Sequence, residues 1–260
     1  MEEKAMNAGR AHIVKSYQQE LDYLRALMAD MGRQVEQQFD LAMRAILDGD
    51  NEAADEATAM DRDVDEMERE VESLAIRLLA LRSPFGADLR ETIAALKITD
   101  GLERMGDYAA SIARRSRSVG EARGKISLSG LRSMGSLVQE NLQRMIHAMK
   151  TQDPNEALAL WHADDAVDES YTTFFRELVT YMIEEPRNIR PCTELLFIAK
   201  NLERIGDHSG NIAERIFYAA TGTSLLQQKQ RRPKSGWNSK KKVSEDVEAE
   251  VSEDEKPNED

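Results

Sequence analysis

A single cysteine, Cys192, occurs among the 260 residues. It excludes a disulfide framework within the chain and a cysteine-based zinc site, and it is compatible with a reducing compartment. Aromatic residues make up 5 % of the chain and prolines number 6, too few of both for an all-β sandwich with its frequent turns. No run approaches the roughly 18 consecutive apolar residues of a membrane helix. Met1–Arg10 is polar and lacks the apolar region of a signal peptide. The expectation is a soluble cytoplasmic protein with no direct membrane insertion. Positive charge is also in deficit: 35 Lys and Arg against 48 Asp and Glu leave a net charge of −13. That balance argues against nucleic acid or anionic lipid as a partner of the main body. There is no G-x-x-x-x-G-K-[ST] loop and no G-x-G-x-x-G turn for a nucleotide. The Glu-x-x-His pairs of di-iron bundles are missing. The four histidines, His12, His147, His162 and His208, share no metal-ligand spacing, and Cys192 has no histidine partner at a convincing spacing.

What remains is helical. Proline is excluded from helix interiors, so Pro84, Pro154, Pro186 and Pro191 mark breaks, and the segments between them repeat apolar residues three and four apart. The spacing predicts six helices, over about 13–47, 52–81, 87–118, 127–150, 153–184 and 192–220. The second carries the seam Val64, Met67, Val71, Leu74, Leu78, Leu81, and the third the stripe Ile98, Leu102, Met105, Ala109, Ile112. Asp153 before Pro154 is an N-cap signal, and Gly222 a C-cap signal. After about Thr223 the periodicity ends. Lys229–Lys242 holds seven basic residues and no acid, and Val243–Asp260 holds nine acids and one base. Such a segregated, weakly apolar tail is expected to be disordered.

The helices fall into two related halves. Leu102-Glu103-Arg104-Met105-Gly106-Asp107 recurs as Leu202-Glu203-Arg204-Ile205-Gly206-Asp207, and Asp61, Val64, Asp65, Glu66 recur as Asp164, Val167, Asp168, Glu169. The fold class is therefore all-α: two tandem antiparallel three-helix bundles, 1–122 and 123–222, followed by a tail, 223–260. Both halves share two signatures of an acid, three residues, then Asp: Asp61/Asp65 and Glu103/Asp107, then Asp164/Asp168 and Glu203/Asp207. Residues at that spacing share a helix face, about 5–6 Å apart at Cβ, and like charges there repel. A hard cation would reverse the sign of that repulsion. On a helical wheel Glu103 and Asp107 fall opposite the apolar stripe, and Asp100 joins their face; its counterpart is Lys200. Spacing alone leaves two readings open, a cation site or a solvated acidic face with Arg104 and Arg204 as partners. Gly106 and Gly206, each inside a helix at a cost of about 1 kcal/mol against alanine, point to a close approach, most simply of a packed neighbouring helix.

These duplicated motifs, over about residues 12–222, resemble the PhoU family of bacterial phosphate-uptake regulators. The resemblance implies a cytoplasmic, commonly homodimeric protein of two three-helix bundles that is not an enzyme. It implies surface metal clusters of iron, zinc, magnesium or manganese, held by Asp61, Asp65, Glu103 and Asp107 in one bundle and by Asp164, Asp168, Glu203 and Asp207 in the other, with Asp165 able to replace Asp164. It further implies negative regulation of the phosphate-starvation response, with the ATPase subunit of the phosphate ABC transporter and a phosphate-sensing histidine kinase as partners. A metal-dependent hydrolase and a purely structural scaffold are the competing readings; no nucleophile or base beside the acids favours the first of them.

Overall fold

Every stretch with apolar residues three and four apart is helical in the computed structural model. It describes residues 2–122 and 124–225, with side chains from Ser16 onward except those of 121, 122 and 164. The helices are α1 (Glu2–Asp48), α2 (Asn51–Ala59), α3 (Asp61–Arg82), α4 (Ala87–Ser116), α5 (Ser129–Thr151), α6 (Pro154–Glu184) and α7 (Ile189–Thr221). Short 3-10 turns occupy Arg117–Ala122 and Pro186–Asn188. No strand occurs among the described residues. The tail expected to be disordered lies, from 226 on, outside the described residues.

The helix ends follow local chemistry. Asp50 accepts a hydrogen bond from the Ala53 amide at 3.0 Å, and Asp153 one from the Asn155 amide at 2.8 Å, with Pro154 opening α6. Both satisfy amides that a helix start leaves without partners. Gly222 closes α7 at φ 73°, its amide donating to the Tyr218 carbonyl at 2.8 Å. The α3–α4 turn is made by Ser83 at φ 48° and Gly86 at φ 62°.

Three boundaries differ from the sequence reading. Helix α1 begins at Glu2, not near Ile13. Helix α7 begins at Ile189 and accommodates Pro191, because the first turn has no intrahelical use for the missing amide. The single helix expected over 52–81 is broken at Met60 into α2 and α3. The cause lies on α1: the buried Gln38 side chain donates from Nε2 to the Ala57 carbonyl at 2.9 Å, the acceptor that an unbroken helix would offer to the amide of Asp61. A side chain inserted into the ladder in this way kinks a helix.

The apolar stripes pack inward. Ile98, Leu102, Met105, Ala109 and Ile112 of α4 are buried, as are Leu131, Met134, Val138, Met145 and Met149 of α5. Burying each large side chain contributes about 1.5–3 kcal/mol before entropy is counted. Leu81, placed in the α3 seam by its spacing, is instead 73 % exposed, since it lies in the last turn of α3, beside the turn to α4. The first bundle consists of α1, α2 with α3, and α4; the second of α5, α6 and α7. Two antiparallel pairs join the bundles into one unit over residues 1–223. In one, Gly32 of α1 approaches Ile146 and Met149 of α5, and Gly135 of α5 approaches Met43 of α1. In the other, Arg90 of α4 donates to the Ala219 carbonyl of α7, Gly101 meets Ile212, and Arg115 pairs with Glu194 at 2.7 Å. The sequence repeat is thus also a spatial one, with α4 and α7 side by side at its centre.

Candidate metal centres

The first centre is formed where α3 packs on α4. Their approach is close because Gly106 has no side chain: a Cβ there would lie 3.3 Å from Val64 Cγ1 and 3.0 Å from Gln38 Oε1. Glycine 106 is therefore a packing device, as the simpler reading of the sequence had it. Val64 points inward between Asp61 and Asp65, so seating it against Gly106 brings both acids beside Glu103 and Asp107. Their mutual charge registers that proximity. Burial, and then the charges of Asp107, Glu68 and Asp65, push Glu103 up to about 7 against the opposing Arg104. Asp61 is raised by burial and by Asp107, while a hydrogen bond from Gln38 and the charge of Arg114 oppose the shift. Glu68 is raised by burial, then by Glu72, Asp100 and Asp65. The helical wheel turned Glu103 and Asp107 both outward; in the structure Asp107 is exposed and Glu103 is half-buried. Asp65 is flanked by Arg69 at 3.6 Å on the open surface.

The second centre repeats the construction on α6 and α7. A Cβ on Gly206 would lie 3.3 Å from Val167 Cγ1. Asp168, Glu203 and Asp207 each offer a carboxylate oxygen within 4.8 Å of the others. Among the described residues the first-centre acids do not reach that mutual spacing. The Glu203 side chain is only 13 % exposed; its Oε1 accepts from Lys200 Nζ at 2.5 Å, and its Oε2 is buried without a hydrogen-bond partner. Asp164 belongs to α6, one turn before Asp168, but its side chain lies outside the described residues. Asp165 is exposed.

Oxygen donors gathered at this spacing suit a hard or borderline cation, which takes carboxylate and carbonyl oxygens. A buried acceptor left without a partner is costly, and each centre has one: Glu203 Oε2 in the second, and Gln38 Oε1 in the first. Gln38 is fully buried and sits against both Gly106 and Asp61. Sequence reasoning passed over it. The signal was a polar residue inside the α1 apolar stripe, matched by the buried Asn141 at the same place in α5. Glu68 and Tyr171 were also passed over, since neither belongs to an acid-x-x-x-Asp pair. His208 packs its ring 5.7 Å from that of Tyr108, and burial lowers its pKa. Cys192 is buried, which pushes its thiol up.

Comparison with known proteins matches the PhoU domain family over residues 28–116 and again over 131–216. The phosphate-specific transport system accessory protein PhoU homolog of Caulobacter vibrioides is 45 % identical over 224 residues, covering 86 % of this chain and 96 % of that protein. The homolog of Pseudomonas aeruginosa is 38 % identical over 218 residues, covering 82 % and 89 %. Among solved structures, PhoU from Pseudomonas aeruginosa superposes with a TM-score of 0.75 at 38 % identity, covering 80 % of this chain and all of that one. The phosphate transport system regulatory protein PhoU from Streptococcus pneumoniae gives the same TM-score at 28 % identity, covering 80 % and 98 %.

Proposed function

The chain belongs to the PhoU family, and from that premise we propose that it is an accessory, regulatory component of phosphate transport and not an enzyme. The observation that carries the proposal is the extent of the likeness. It spans both repeats and covers 86 % of this chain and 96 % of the Caulobacter protein, which is described as an accessory protein of phosphate-specific transport. No described helix is long and apolar enough to cross a membrane. In this reading the chain acts in the cytoplasm, as a homodimer, between the ATPase subunit of the phosphate transporter and a phosphate-sensing histidine kinase, and holds the starvation response off when phosphate is plentiful. The test is a phosphatase reporter of that response in a strain lacking the gene, grown in phosphate-rich medium. High activity returned to low by the intact gene supports the proposal; equal activity with and without the gene, at low and high phosphate, refutes it.

We further propose that the two acidic centres hold metal ions. In the first, Asp61, Asp65, Glu103 and Asp107 are the ligands; in the second, Asp168, Glu203 and Asp207 are, joined by Asp164. Iron, zinc, magnesium and manganese all suit such oxygen donors. A bound cation supplies positive charge that offsets the crowded carboxylates. What the chain itself supplies is position: the glycine–valine contacts fix the spacing of the two acid-bearing helices, and Gln38 holds Asp61 at the head of α3. The expected result is stoichiometric metal in protein reloaded after chelation; none retained after dialysis would refute the assignment.

A further inference from the structure

The two centres differ where the repeat would make them alike. Glu68 of the first corresponds to Tyr171 of the second, and Asp100 to Lys200. The Lys200 ammonium lies 2.5 Å from Glu203 Oε1 and 5.4 Å from the centre of the Tyr171 ring. Two contacts thus hold one charge: the ring face attracts the cation, and the three-residue spacing on α7 keeps it beside Glu203. The target, the Glu203 carboxylate, is only 13 % exposed.

Cations in the first centre are placed differently. Arg69 stands 3.6 Å from Asp65 and Arg104 stands 3.4 Å from Asp100, both on open surface. The inward Glu103 has Asp107, Glu68 and Asp65 as its charged neighbours on the acidic side, and no lysine occupies the position held by Lys200. A divalent ion entering the first centre meets carboxylates whose countercharges, Arg69, Arg104 and Arg114, are all on exposed side chains. One entering the second meets a glutamate with one of its two oxygens, Oε1, already engaged by an ammonium.

We propose that Lys200, steadied by Tyr171, is a built-in counter-ion of the second centre, so that the two centres take divalent metal unequally. The first binds directly, and the second only as the Lys200 ammonium swings away. The side chain of Lys200 is 40 % exposed, which leaves it room to do so. This inference rests on the metal reading above and adds to it which centre fills first and which residue sets the difference.

The test uses the full chain, cleared of metal with chelator and dialysed, titrated with Mn2+ while the free ion is counted by its electron-paramagnetic-resonance signal. The wild type is expected to show two classes of site at least about tenfold apart, the scale of one close charge in a partly solvated setting. Lys200→Met, which keeps the apolar stem and removes the charge, should tighten the weaker class by about tenfold and leave the stronger one unmoved. Lys200→Arg should keep the weaker class weak. Asp207→Asn on the Lys200→Met background should abolish the tightened class and so locate it. A far-UV circular-dichroism melt of each variant separates these outcomes from misfolding. Mn2+ binding that is unchanged by Lys200→Met overturns the role of Lys200 alone. No Mn2+ binding by wild type or variants overturns this inference and the metal reading together.

Discussion

Replacing Glu103 with glutamine in the metal-free protein removes a carboxyl that the fold holds in its protonated form to unusually high pH. Its ordinary value of 4.5 is moved to about 7 by burial and by Asp107, Glu68 and Asp65. Between those two values the folded chain retains a proton that the unfolded chain has released. Stability therefore falls as pH rises from about 4.5 to about 7, and the full loss is present above that. The gap between the values corresponds to about 3 kcal/mol if fully expressed; the half-exposed setting screens it to about 1–2 kcal/mol. In a body of this size each kcal/mol moves the melting temperature by about 2–4 °C. Glu103→Gln, which resembles the protonated acid at every pH, should thus melt about 3–6 °C above wild type at pH 8 in chelator and match it near pH 4.5. Differential scanning calorimetry at four pH values reads both ends. A variant that melts lower than wild type at pH 8, or that keeps the wild-type slope between pH 4.5 and 7, would refute the charge-crowding account of the first centre.

Three further outcomes follow from the same geometry. Adding Mn2+ at about a hundred times the dissociation constant of the first centre should stabilise the wild type by about 2.7 kcal/mol through that site, and Asp107→Asn should remove that gain, both read as melting temperatures. Gly206→Val drives a branched side chain into Val167, already 3.3 Å from where a Cβ would sit, and should cost about 1–3 kcal/mol in a urea melt; Gly120→Ala, with open space around it, should cost far less. Leu202→Ala, at a fully buried position, should cost about 2–5 kcal/mol, whereas Leu81→Ala at an exposed one should stay within about 0.5 kcal/mol.

The duplication, the apolar stripes and the pairing of acids are written in local spacing, and local spacing was enough to find them. The break at Met60 was not, because its cause is Gln38 on another helix, nineteen residues before the Ala57 carbonyl it bonds. The half-burial of Glu103 escaped for a related reason: a helical wheel gives the angle at which a side chain leaves its helix but not what covers it, and α3 covers this one. The Lys200–Glu203 contact has helical spacing and was within reach. The Tyr171 ring beneath that lysine comes from α6, twenty-nine residues back, and only the packed bundle brings it there. Gly106 and Gly206 marked close approach correctly in sequence, while the partners, Val64 and Val167, became visible only once the helices were docked.

The lengthwise contact of α4 with α7, and of α1 with α5, bears on whether this chain can be divided. Each bundle uses the other as a wall of its own interior, as Gly101 does with Ile212 and Gly135 with Met43. A half expressed alone would present those faces to water, and two copies could cover them only by meeting face to face. The connection through residues 117–128 makes that meeting intramolecular, at an effective concentration in the millimolar range for a short tether. The expected consequence is that the two halves melt together as one cooperative transition, so that a lesion in either lowers the melting temperature of both.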